Sequence, residues 1–141
     1  MKGLYLKKYA LFFIDLDNFK NVNDTLGHDY GDLLLQQVSA KLTSCTLEND
    51  ILARTGGDEF LLLKTDVTTI NELEDFAEKV VDIVRAPFVL DDEIAHVSMS
   101  LGVALFPRDG LTINELIKNA DIAMYNAKNS GKNRFKFFNS Y

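Results

Sequence analysis

Ala53-Arg54-Thr55-Gly56-Gly57-Asp58-Glu59-Phe60 sets two glycines between an apolar run, Ile51 to Ala53, and another, Phe60 to Leu63. That order reads as strand, tight turn, strand. The turn closes on two adjacent carboxylates. Glycine tolerates positive φ and leaves bare backbone open to a ligand, while neighbouring acids at a loop tip repel unless a cation or a proton sits between them. A metal-bound phosphate is the ligand that suits such a tip. In isolation the commoner meaning is a hairpin with a solvated acidic end, so the surrounding chain decides.

Upstream, Tyr9 to Ile14 is a near-continuous apolar run rich in aromatics, as expected of a strand covered on both faces in the middle of a sheet. With period 2, Asp15 and Asp17 share a face where the run ends. Phe19 to Asp24 reads as polar turn formers, and Gly27 to Asp32 as a second loop. From Leu33 to Leu42, Leu34, Leu35, Val38 and Leu42 fall at helical spacing. Asp32 then stands near the helix start, where negative charge is favoured and a carboxylate serves as a cap.

Downstream, Asn71 to Ala86 is an amphipathic helix carrying Leu73, Phe76, Ala77, Val80, Val81 and Val84 on one side, stopped by Pro87. Phe88 to Leu90 and Ala95 to Phe106 read as a strand pair joined by Asp91-Asp92-Glu93. Gly102 within the longer strand predicts a bulge or a close backbone approach. Thr112 to Asn129 is a helix opened by a capping box, Thr112 with Glu115, and ended at Gly131. Phe135 to Phe138 is a last short strand. The expected fold is α+β, with helices packed on a mixed, mostly antiparallel central sheet.

A chain of 141 residues is one domain with room for a sizeable core. Fifteen Lys and Arg against 21 Asp and Glu leave a net charge of −6, which opposes non-specific binding to nucleic acid. Cys45 is the only cysteine, so no internal disulfide forms, and a reduced, cytoplasmic setting is expected. No apolar run approaches the ~20 residues needed to cross a bilayer, so no direct membrane contact is expected either.

Six stretches together resemble the GGDEF family of diguanylate cyclases: Phe13 to Lys20, Asn23 to His28, Gly31-Asp32, Arg54 to Phe60, Ser100 to Ala104, and Ala120 to Lys128. The match runs from about residue 9 to residue 138. The resemblance implies a fold like the palm of nucleotide cyclases and polymerases. It also implies a reaction that condenses two GTP into cyclic di-GMP and two pyrophosphates, with Mg²⁺ or Mn²⁺ as cofactor. Carried over by motif, Asp15, the Leu16 carbonyl and Asp58 are metal ligands. Glu59 is a third acid that ligates or helps deprotonate the attacking hydroxyl. Asp58, Glu59 and Lys20 are then catalytic. Asn23 and Asp32 form the guanine pocket, with His28 ordering the adjoining loop. The Phe19 and Lys20 amides and the Lys20, Lys128 and Lys132 side chains hold the phosphates, and Gly56 and Gly57 let the nucleotide approach. From the residues alone, Lys128 and Lys132 read first as helix-end charges that complement the dipole. Each site holds one GTP, so activity is expected of a homodimer, paired by an upstream sensory domain.

Two departures stand out. Many members carry an Arg-x-x-Asp product-inhibition site ending six residues before the first glycine of the turn, but here Leu47 replaces the arginine and Asp50 remains. The cation that would pair with product is missing, so no high-affinity product inhibition is expected there. The family's usual opening helix and turn are also absent before residue 9, as in a piece of a longer signalling protein, and an isolated chain of this kind is weakly active at best. Lys132 stands where the family usually has Arg, which removes a bidentate fork. The competing expectation is a noncatalytic GTP-binding or dimerisation module. Retention of the whole Gly-Gly-Asp-Glu-Phe turn argues for the enzyme, and retention of Asp32 argues against a mixed adenine-guanine product.

Overall fold

The computed structural model describes residues 8–139. The chain runs β1 (Tyr9–Asp17), α1 (Phe19–Leu26), α2 (His28–Ser44), β2 (Ile51–Gly56), β3 (Glu59–Lys64), α3 (Ile70–Arg85), β4 (Phe88–Leu90), β5 (Glu93–Ala95), β6 (Ser98–Phe106), α4 (Ile113–Asn129) and β7 (Arg134–Phe137). Five strands form one sheet in the order β2-β3-β1-β6-β7. Its pairings are antiparallel except β6 with β7, which is parallel. The sheet is therefore mixed and mostly antiparallel, as the patterning predicts.

The aromatic run of β1 lies at the centre, between β3 and β6. Period 2 divides it between two cores. Ala10, Phe12, Ile14 and Leu16 pack with α1, α2 and α3, while Leu11 and Phe13 meet Leu116, Ala120 and Met124 of α4. The α4 face of β1 then continues from Leu11 and Phe13 to Asp15 and Asp17. Lys128 follows Met124 by four residues, so it lies on the same side of α4 and comes down on those two acids.

α4 approaches the sheet closely because Gly102 has no side chain. A Cβ there would stand 1.9 Å from the Ala120 carbonyl oxygen and 2.3 Å from the Met124 amide. Close backbone approach, rather than a bulge, is thus what the glycine supplies. The capping box forms as expected: the Thr112 side chain accepts from the Glu115 amide and the Glu115 carboxylate from the Thr112 amide.

Three expectations need correction. Phe19 to Asp24 is not a loop: Phe19, Val22 and Leu26 sit at helical spacing beneath a polar exterior, making the eight-residue α1. Gly27 to Asp32 is not a second loop either. α2 begins at His28 straight after Gly27 (φ 100), so Asp32 lies in its second turn and does not cap it. The segment from Ala95 to Phe106 is not one strand. Asp91 turns at φ 56, β4 and β5 pair as a separate hairpin, and β6 starts anew at Ser98. Tyr30 of α2 donates to Asp92 at 2.8 Å and Gln37 donates to the Val89 carbonyl at 3.0 Å, tying the hairpin to α2.

Candidate active site

β1 ends at Asp17, Asn18 turns sharply at φ 67, and α1 starts at once. No side chain caps α1. Its first N–H groups therefore lack an intrahelical partner and stand beside the acids of β1. A groove of about 480 Å³ opens at this corner. One wall is Asp15 and Leu16 from β1 with Asp58 from the β2–β3 turn. The others are Asn18 to Asn21 and Asp24 at the start of α1, and Lys128 and Lys132 from the end of α4 and beyond.

Register explains the convergence of acids. Asp15 lies opposite Glu59 across the β1–β3 pairing, and the Leu16 amide donates to the Asp58 carbonyl at 3.2 Å. The Gly-Gly turn is thus stitched to the end of β1. Gly56 and Gly57 leave open space: a Cβ on either would meet nothing within 4 Å, and Gly57 takes φ +27. Glu59 is half-buried and does not line the groove.

The two acids of β1 differ sharply. Asp17 is 1% exposed and fully engaged. Its carboxylate accepts from Ser98 Oγ (2.6 Å), Ser100 Oγ (2.8 Å), Lys128 Nζ (3.0 Å) and the Asn133 amide (3.0 Å). Burial alone would raise its pKa, but the bonds from Ser98, Lys128, Ser100 and Asn133 outweigh that and hold it below the usual carboxylate range. Among the described residues Asp15 pairs with Lys128 alone, at 3.1 Å from Oδ2, and its Oδ1 is buried without a partner. Burial first, then repulsion from Asp58, push its pKa up to about 6 against the pull of Lys128. For Lys128 burial acts downward, but the hydrogen bonds and charges of Asp17 and Asp15 prevail and raise its pKa.

This donor set fits a hard divalent cation. It offers oxygen only, one buried carboxylate oxygen has no partner, and the groove is open to solvent. Among the described residues no three acid, His or Cys side chains gather closely enough to enclose an ion. Mg²⁺ seldom needs such a cage: it keeps waters and shares one or two carboxylates with substrate phosphates.

A second cavity, about 570 Å³, lies between α2 and β2, lined by Asp32, Leu35, Gln36, Ser39 and Arg54. Asp32 is exposed there. Asn23 is packed against Gly31, whose missing Cβ leaves the space that Asn23 Oδ1 fills, 1.7 Å from where that Cβ would stand. The same Oδ1 is buried without a hydrogen-bond partner. Asn23 and Asp32 are therefore neighbours through Gly31, although Asn23 does not line the cavity. His28 is exposed at the start of α2 and lines neither space.

The Leu47–Asp50 turn is engaged elsewhere. Asp50 accepts from the Leu47 amide, Lys64 Nζ and the Thr65 amide and hydroxyl, and its side chain is fully buried. Leu47 is 66% exposed. Cys45 is a buried core residue closing α2.

The sequence pairs Asp17 with Asp15 but gives it no role, and does not point to Ser98, Ser100 or Asn133, which with Asp17 fix the loop carrying Lys132. The alternation of Asp15 with Asp17 is the one signal that could lead to them. Arg54 carries no role in the turn motif read from the sequence, yet it lines the second cavity with Asp32.

The family profile described as "Diguanylate cyclase, GGDEF domain" matches residues 4–134. The bifunctional diguanylate cyclase/cyclic di-GMP phosphodiesterase MucR of Pseudomonas aeruginosa is 42% identical over 134 residues, 95% of this chain and 19% of that protein. The cyclic di-GMP phosphodiesterase NbdA of the same organism is 40% identical over 132 residues, 94% of this chain and 17% of that protein. The chain thus spans less than a fifth of the length of these curated relatives. The structure of the isolated GGDEF domain of TpbB, also from P. aeruginosa, aligns with a TM-score of 0.91 at 33% identity, covering 94% of this chain and 78% of that one. No helix among the described residues is long and apolar enough to cross a membrane.

Proposed function

The chain belongs to the GGDEF domain family of diguanylate cyclases, and from that premise we propose that it is one half-site of a metal-dependent enzyme that condenses two GTP into cyclic di-GMP. The observation that carries this reading is the groove. Three carboxylates, Asp15, Asp58 and Asp24, share the groove with three lysines, Lys20, Lys128 and Lys132, beside the uncapped start of α1. Acids for a cation and cations for phosphates meet in one open space.

In the proposed reaction the 3′-oxygen of one GTP bonds to the α-phosphorus of the other. The bond from that phosphorus to the bridging oxygen breaks, and its electrons leave with pyrophosphate. Repeating the step in the opposite sense closes the ring and releases the second pyrophosphate. Asp15, Asp58 and the Leu16 carbonyl would hold Mg²⁺ or Mn²⁺, which when bound neutralises charge on the attacking and leaving oxygens. Lys20 and the first amides of α1 bind the triphosphate, as helix N-termini bind anions generally. Lys128 and Lys132 add positive charge at its far end. Glu59, in register with Asp15 although outside the groove lining, is the carboxylate that would take the hydroxyl proton.

The second cavity supplies base selection. Asp32 accepts from the N1 and N2 donors of guanine, whereas adenine would leave the acid unpaired. Asn23, whose oxygen lacks a partner, is the neighbouring amide. Each groove holds one nucleotide, so a second copy of the domain must face it, brought there by further parts of a longer protein.

A second reading has one observation in its favour: NbdA, named as a phosphodiesterase, is 40% identical to this chain. On that reading the groove binds GTP and regulates an attached activity. Chromatography and mass spectrometry of GTP incubated with Mg²⁺ and concentrated protein separate the two. Cyclic di-GMP from the parent but not from Asp58→Ala is expected. GTP binding with no cyclic product from either protein favours the regulatory module.

A further inference from the structure

We infer that Lys128 is the resident counter-ion of the metal site, so that a divalent cation enters only by displacing its ammonium from Asp15 and is admitted together with a triphosphate that takes the ammonium over. This rests on the metal-dependent reading above and concerns the form in which substrate binds.

The asymmetry of the two ion pairs carries the inference. Lys128 Nζ lies 3.1 Å from Asp15 Oδ2 and 3.0 Å from Asp17 Oδ1. Asp17 keeps Ser98, Ser100 and the Asn133 amide whether or not the ammonium stays. Among the described residues Asp15 has no other cation at ion-pair distance, and its second oxygen is buried and unpaired. Lys128 thus has a permanent anchor on Asp17 and an exchangeable contact on Asp15.

An ammonium and a divalent ion cannot share the Asp15 carboxylate at contact distance without strong mutual repulsion. A lone metal ion must therefore evict a contact that already neutralises Asp15, which weakens its binding. A metal arriving on a triphosphate brings the compensation with it. The displaced ammonium, still held by Asp17, can take a phosphate oxygen as its second charge-assisted partner in place of Asp15. Metal and nucleotide then bind with positive coupling, and by reciprocity each tightens the other.

The test measures Mn²⁺ binding by electron paramagnetic resonance, with and without a non-hydrolysable GTP analogue, for the parent and Lys128→Met. The analogue is expected to tighten Mn²⁺ binding to the parent by about ten-fold or more, within the usual range of coupling between sites. Nucleotide-free Lys128→Met is expected to bind Mn²⁺ about ten-fold more tightly than the nucleotide-free parent, with most of the coupling lost. Equal or weaker nucleotide-free binding by Lys128→Met overturns the inference. Should Lys128→Met fail to fold, nitrogen NMR of the parent's lysine ammonium groups decides, with Lys128 assigned by its absence from Lys128→Arg. Saturating Mg²⁺ must move the Lys128 signal, and an unmoved signal overturns the exchange. These readouts involve no turnover: the expected shifts alongside GTP that is never cyclised would remove the cyclase reading and leave the exchange standing.

Discussion

Replacing Asp15 by Asn should stabilise the metal-free protein at neutral pH while abolishing the proposed cyclase activity. The folded chain holds a proton on Asp15 up to about pH 6, whereas an unfolded carboxyl releases it near 3.8. Between those values the folded state binds more protons than the unfolded state, so stability falls as pH rises through the window and the cost is complete above it. The climb corresponds to a ceiling of ~3 kcal/mol at ~1.36 kcal/mol per pH unit. The Asp15 side chain is 16% exposed in an open groove, and solvent and salt reduce the effect to about 1–2 kcal/mol.

Asn has the shape of the protonated acid and no charge to lose. Urea unfolding without divalent ions, from pH 4.5 to 7.5, should therefore show the parent losing stability relative to Asp15→Asn as pH rises, by about 1–2 kcal/mol in all. Asp17 acts in the opposite direction: its lowered pKa contributes stability that is present above the ordinary carboxylate value and lost in more acid solution. It is common to both proteins and cancels in the difference. Parallel pH curves, or an Asp15→Asn protein less stable than the parent at pH 7.5, would refute the electrostatic account of this site.

Gly102→Ala should cost ~1–3 kcal/mol or more, since its Cβ meets backbone of α4 rather than a movable side chain; thermal unfolding checks this, and an unchanged midpoint contradicts the close packing of α4. Titration calorimetry with cyclic di-GMP on nucleotide-free protein should find no tight site at Leu47 and Asp50, because the Asp50 carboxylate is consumed by Lys64, Thr65 and the Leu47 amide. Tight binding that disappears in Asp50→Ala would show the opposite. Asp32→Ala should weaken GTP binding by about 1–3 kcal/mol while leaving ATP binding nearly unchanged, as expected when one hydrogen-bonded discriminating contact is lost; equal losses for both nucleotides would remove Asp32 from base selection.

Much of this architecture is legible in the chain because its strongest signals are periodic. The aromatic run of β1, the two apolar arms around Gly56 and Gly57, and the Thr112–Glu115 box each state a local conformation that tertiary packing then keeps. α1 is hidden because Asn21, Asn23, Asp24 and Thr25 look like turn formers, and three apolar residues in eight are too few to announce a helix. The strand pair around Asp91 and Asp92 is legible, but its separation from β6 is hidden for the opposite reason: an apolar segment that continues past Ala95 conceals the break at His96 and Val97.

At the site, the acids are legible as a pair on one strand face, but the cation that joins them is not. Lys128 lies 111 residues from Asp17 in the chain. Only the laying of α4 on Gly102 brings it to the end of β1. Arg54 is invisible as a cavity residue for the same reason: its opposite wall comes from α2.

Whether this groove is a GTP-condensing half-site is decided by fusing the chain to a dimerising coiled coil and following GTP with Mg²⁺ over time. Cyclic di-GMP and pyrophosphate should accumulate together, faster than from unfused chain at the same low concentration, and neither should form with the fused Asp58→Ala protein. A fused dimer that binds GTP and yields no more cyclic di-GMP than Asp58→Ala would contradict the half-site reading.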